Sequence, residues 1–180
     1  MSDSTIRVTD YFPGALAFTL SAEGGISDDP QDPGGLTNLG LTLADLTRWD
    51  GHTASPDDVR ALTPDTAAPI YRAFYWLPVG GPRLSPGVGL SVFDHGVNRG
   101  VRTSARILQR ILGVEADGWI GPQTLTALTV AAYSGIQPIL EALHEHQGAD
   151  YIALGNAHFE RGWLARCDAR YDAAMSALMA

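Results

Sequence analysis

Residues 23–42, "EGGISDDPQDPGGLTNLGLT", decide how this 180-residue chain is read. The stretch holds four carboxylates, two Asp-Pro pairs and two Gly-Gly pairs, so neither a helical nor a strand period runs through it. Just before it, Phe12, Leu16 and Leu20 recur every four residues with Ala15 and Phe18 beside them. That spacing predicts a helix over 11–23 with an apolar stripe, ended by Gly24-Gly25. After it, apolar residues at three- and four-residue spacing predict helices near 43–50, 65–76, 87–98, 102–112, 122–133, 137–155 and 164–179, with Pro69 breaking the pattern of the second. Ser55-Pro56-Asp57-Asp58, Thr63-Pro64-Asp65 and Ser85-Pro86 read as helix starts, with a hydroxyl at the cap and proline at the first helical position. Extended pieces are expected only in the opening loop and around 114–120. The fold class is therefore mainly α: a single domain with a small β or irregular wing after the first helix, without linker or repeat.

Composition narrows the partners. Hydrophobic residues make up 45% of the chain and charged ones 18%, as in one globular domain with a sizeable core. A formal net charge of −8 argues against a protein that holds nucleic acid or anionic lipid through its overall field. Cys167 is the only cysteine, so no intramolecular disulfide is expected. No apolar run reaches the roughly 18 residues that suggest a membrane span, and membrane insertion is not expected. "YFPGALAFTLSA" follows Asp3 and Asp10 with only Arg7 as a positive charge and is interrupted by Pro13, so it reads as a helix rather than a signal peptide. The expectation is a monomer made in the cytoplasm.

The opening loop carries the chemistry. Glu23 falls in the last turn of the first helix, where the free carbonyls and burial both favour the neutral carboxyl, the form a general acid needs. Asp32 lies in a polar loop pinned by Pro30 and Pro33, where a carboxylate stays ionised and suits a base. Two carboxyl groups in unlike surroundings are what glycosidic bond cleavage needs. Thr37 and Asn38 follow with groups suited to orienting water or binding sugar hydroxyls. The same residues also occur in ordinary solvated turns. A calcium loop through Asp28, Asp29 and Asp32 is disfavoured because the prolines break the alternating ligand spacing.

The whole stretch resembles the N-terminal signature of the glycoside hydrolase family 108 muramidases, roughly E-G-G-aromatic, Asp/Asn-Pro, then D-x-G-G-x-T-x-aromatic-G-I-T. The resemblance continues through "IYRAFYWLPV", "VFDHGVNRG" and "GVEADGWIGPQTLTAL" and ends near "RGWLARCDARY", in the family's order. It implies a lysozyme-like fold, hydrolysis of the β-1,4 bond between N-acetylmuramic acid and N-acetylglucosamine in peptidoglycan, and Glu23 as the catalytic glutamate. It also implies a phage-endolysin type of role, with a holin or secretion pore giving access to the periplasmic wall. No cofactor is implied. Residues 1–90 would form the catalytic part and 91–180 a helical peptidoglycan-binding part packed into the same globule. Ile26 and Leu39 stand where the family often has an aromatic, and His95 where Phe is expected, so two sugar-stacking rings are missing from the signature.

Several residues keep two readings. Asp94 and Asn98, four apart on one helix face, either line the sugar cleft opposite Glu23 or tie helices together. Trp119 in "ADGWIGPQT" either touches the wall or belongs to a turn before a helix start. Trp76, Tyr75 and Trp163 read as core or cleft wall rather than as ligands. Glu141, His144 and His146 do not read as a metal site, and no G-x-S-x-G elbow is present. The competing functions are a lytic transglycosylase using Glu23 alone and a wall-binding protein without activity.

Overall fold

The computed structural model describes residues 10–28 and 35–178. Helix α1 (Phe12–Glu23) is followed by a hairpin of β1 (Thr37–Asn38) and β2 (Leu41–Thr42), then α2 (Leu43–Asp50), α3 (Pro56–Arg60) and α4 (Pro64–Tyr71). Five longer helices complete the chain: α5 (Pro86–Arg99), α6 (Val101–Ile111), α7 (Pro122–Ala132), α8 (Gln137–Ile152) and α9 (Ala157–Ser176). The fold is mainly α, with the expected small β wing after the first helix.

Local signals account for the short helices. Thr42 with Asp45, Ser55 with Asp58 and Thr63 with Thr66 form reciprocal capping boxes, each satisfying two backbone donors that a helix start leaves free. Pro69 is accommodated inside α4, and the chain runs on into a wide turn, Arg72–Trp76, in which the Leu77 N–H reaches back five residues to Arg72 O. That turn delivers Trp76 to the core, where its ring meets Phe93 edge-on at 5.6 Å and Phe12 at 5.7 Å.

Helix α5 is the axis of the molecule. Residues 87–96 are all buried, because α1, α6, α8 and α9 pack around it. Gly87 permits a close approach of α9, since a Cβ there would sit 2.6 Å from the Ala174 carbonyl oxygen. At its far end Arg99 Nε meets Asp150 of α8 at 2.6 Å. His95 is fully buried, 3.3 Å from Asp150 and edge-on to the Tyr151 ring. The division of the chain at residue 90 falls inside this helix.

Two expectations need correction. No strand pairing occurs over 114–120. The buried Gln109 amide takes the place of a ladder there: its Nε2 donates to Asp117 Oδ1, Trp119 O and Thr124 Oγ1, and its Oε1 accepts from Gly118 N. The last helix begins at Ala157 rather than near 164, because Asn156 caps it through the His158 N–H. Gly162 and the polar residues around it hide the helical period over that first part.

Candidate active site

Phe12, Ala15, Leu16 and Thr19 are the buried residues of α1, and Glu23 continues their face by one more turn. Its carboxyl therefore points inward, and its side chain is 18% exposed. The hairpin closes over it. Asn38 pairs with Leu41 across a turn in which Leu39 and Gly40 both have positive φ, 52° and 75°, as a tight two-residue hairpin requires. A Cβ built on Gly40 would lie 2.8 Å from Glu23 Oε2 and 2.6 Å from the Tyr71 hydroxyl, so both conformation and space demand glycine. Tyr71 Oη donates to Leu39 O at 2.7 Å and pins the hairpin tip beside the carboxyl. Burial, with the charge of Glu23 second, pushes the Tyr71 hydroxyl far above its ordinary range, so it stays a donor.

The other oxygen of Glu23 meets α9. Arg166 Nη2 stands 2.7 Å from Glu23 Oε1, an ion pair in distance but without hydrogen-bond alignment. The aligned bonds of that guanidinium go to Asp94, from Nη2 to Oδ1 at 2.6 Å and from Nε to Oδ2 at 3.2 Å. Asp94 is fully buried and also accepts from Arg170 Nη1 at 2.9 Å and from Thr19 Oγ1 at 2.9 Å. The Glu23 carboxyl, Asp94 and the two guanidinium groups thus form one cluster. Burial opposes the charge on Asp94, but its bonds to Arg166 and Arg170 prevail and hold its carboxyl below the usual range. Beyond Glu23, a Cβ on Gly24 or Gly25 would meet nothing within 4 Å among the described residues.

The structure distributes the residues singled out from the sequence unevenly. Thr37 lies half-buried in β1, its backbone bonded both ways to Ser27. Asn38 is 5% exposed and donates to the carbonyls of Val59, Arg60 and Leu62, so it ties the hairpin to α3 instead of facing sugar. Asp94 takes the helix-tying reading, directly behind Glu23, and Asn98 Nδ2 donates to Asp94 O from an exposed position one turn on. Trp119 is 60% exposed in the loop before α7, and no described contact joins it to the Glu23 cluster. Asp32 and Asp29 lie outside the described residues, and Asp28 pairs with Arg60 at 3.4 Å. Among the described residues no group of three acidic, His or Cys side chains is placed to hold a metal ion. Arg166 and Arg170 escaped the sequence reading. Their signal was indirect: two arginines four apart on a helix that a buried aspartate elsewhere requires.

A family model described as glycosyl hydrolase 108 matches residues 16–100, and one described as a predicted peptidoglycan domain matches 103–168. The structure of Brucella abortus SagA superposes with a TM-score of 0.82 and 36% identity, over 92% of this chain and 94% of that one. The chain belongs to glycosyl hydrolase family 108. No curated protein matches it. As a family 108 glycosyl hydrolase it is a lysozyme-like α protein that acts on peptidoglycan. Its two matched regions are not independent, because Glu23 lies in the first and its cation Arg166 in the second.

The hairpin tip gives this family 108 hydrolase a sensitive position. Gly40→Ala is expected to displace Glu23 or Tyr71 and to strain a left-handed residue, lowering wall-clearing activity on the order of 10²-fold if the carboxyl moves by about 1 Å. Clearing rates measured beside thermal melts check this. A folded variant that clears walls at the parent rate would mean that the hairpin tip does not hold the carboxyl.

Proposed function

We propose that the enzyme is an N-acetylmuramidase that hydrolyses the β-1,4 bond between N-acetylmuramic acid and N-acetylglucosamine, with Glu23 as general acid. The observation that carries this reading is the placement of Glu23, fixed between Gly40, Tyr71 and Arg166 on one side, with no described residue crowding Gly24-Gly25 on the other. As the glycosidic bond breaks, the Glu23 carboxyl gives its proton to the leaving oxygen and becomes a carboxylate. Arg166 stands beside the charge that then appears, held there by Asp94, so the stabilisation grows in the transition state. Asp32 serves as the base that activates water on the opposite face of the sugar, with Thr37 helping to orient it, as in a two-carboxylate inverting mechanism.

The products of a wall digest test the reading. Mass spectrometry is expected to find reducing muramic acid ends. Predominantly 1,6-anhydro ends would show a transglycosylase, in which the sugar's own hydroxyl replaces water, and reducing glucosamine ends would move the cut to the other bond.

A further inference from the structure

The face of α9 that supplies Arg166 does not stop there. Phe159, Trp163, Arg166 and Arg170 are spaced four, three and four residues apart and share one side of the helix. Arg170 is buried beneath Asp94 and Arg166 stands at Glu23, so the next turns carry the two rings away from the carboxyl cluster. At 1.5 Å per residue the rings lie roughly 4.5 and 10.5 Å along the axis from Arg166. Trp163 stacks on Tyr151 at 5.6 Å with 23° between the planes, and Phe159 continues the row at 5.7 Å and 30°. The core rings Trp76 and Phe93, by contrast, meet at 80°. Tyr151 is buried, Trp163 half-buried and Phe159 52% exposed, so the row runs from the interior out to solvent.

A polar edge accompanies the rings. Helices α5 and α9 run antiparallel, with Gly87 against Ala174 at one end and Asp94 against Arg166 and Arg170 further along. The following turn of α5 brings Asn98 to the level of Trp163. Its Nδ2 is used on Asp94 O, while its side-chain oxygen takes no bond from the described residues and can accept from a ligand hydroxyl. Trp163 has a ring on either side of it in this row, so the face left for a ligand is that of Phe159, which His158 meets edge-on at 4.7 Å. One flat apolar face beside a neutral polar group matches a pyranose ring, which presents a C–H face and equatorial hydroxyls.

We propose that the outer face of Phe159, backed by Trp163 and with Asn98 on the neighbouring turn of α5, forms a subsite for the glycan strand to one side of the bond that Glu23 cleaves. The proposal rests on the reading of Glu23 as the carboxyl that cleaves a glycan. It assigns to α9 the ring stacking that Ile26 and Leu39 do not supply from the opening loop.

The test uses the tetramer of β-1,4-linked N-acetylglucosamine, titrated by calorimetry into the full chain carrying Glu23→Gln, so that the probe is not consumed. Adding Phe159→Ala, an exposed change, is expected to weaken binding about 10-fold. Trp163→Leu does the same or more, whereas Trp163→Phe, which keeps a ring, restores most of the affinity; thermal melts confirm that each variant folds. In the otherwise wild-type enzyme Phe159→Ala raises KM on wall glycan more than it lowers kcat. Equal affinities for the parent, Phe159→Ala and Trp163→Leu, or no binding of the tetramer by the parent, overturn the subsite. Failure of the catalytic reading looks different: Glu23→Gln then still clears walls, while the ring variants still report on affinity.

Discussion

Glu23→Gln is expected to lower the rate of wall hydrolysis by about 10²- to 10⁴-fold while leaving wall binding intact. Glutamine keeps the shape that fits between Gly40, Tyr71 and Arg166, but it has no proton to give. Arg166 is not orphaned by the change, because its aligned bonds go to Asp94. Stability should therefore shift little, which separates a chemical loss from a folding one. Turbidity clearing of permeabilised cells, with pelleting on walls as the binding control, measures both. Parent-like clearing would place the acid elsewhere. Asp32→Asn completes the experiment: a heavy loss supports activation of water by Asp32, and an unchanged rate makes it a loop-shaping residue and points to Thr37.

Asp94→Leu has the largest expected effect on stability. It leaves the guanidinium of Arg170, 1% exposed, and that of Arg166, 12% exposed, without their common anion. Removing one partner from a buried ion cluster costs about 3–5 kcal/mol, which in a chain of this length is a fall in Tm on the order of 10 °C. Replacing Arg170 as well, with Met, should return part of that stability, because no fully buried charge is then left unpaired. Activity should not return, since Arg166 still lacks its anchor beside Glu23. A double variant as unstable as the single one would mean that the aspartate acts through something other than charge balance. The same cluster sets an acid limit. Because the folded state holds Asp94 below its unfolded value, the unfolded chain binds the extra proton, and stability rises with pH. That contribution is present above about pH 4 and is lost as pH falls through the depressed value. Melts across the acid range should show the slope in the parent and a shallower one in the double variant.

What could be read from the sequence was what is local. The capping residues Ser55 and Thr63 act within three positions of themselves, and the stripe of Phe12, Leu16 and Leu20 announces α1 and puts Glu23 at its end, although Thr19, not Leu20, completes the buried face. The hidden parts depend on distance along the chain. Asp94 meets Thr19 and Arg170 across 75 and 76 residues, and no periodicity encodes such a meeting. Asn38 was legible as a polar residue beside the loop but not as one consumed by three carbonyls from 21 to 24 residues away. The loop over 114–120 looked extended because its organiser, Gln109, lies outside it on α6. The first turns of α9 went unseen because their aromatic residues pack on Tyr151 and solvent rather than on a continuous apolar stripe.

The reach from Asp94 to α9 bears on when the enzyme comes into being during synthesis. With its anion on α5 and both cations on α9, the cluster cannot close until α9 has left the ribosome. Before that moment Asp94 would enter the core as a bare charge, so the nascent chain gains little by packing α5 early, and Glu23 lacks its cation until α9 is made. Maturation of the active centre is thereby tied to the emergence of α9, with closure of these long loops as an entropically costly late step.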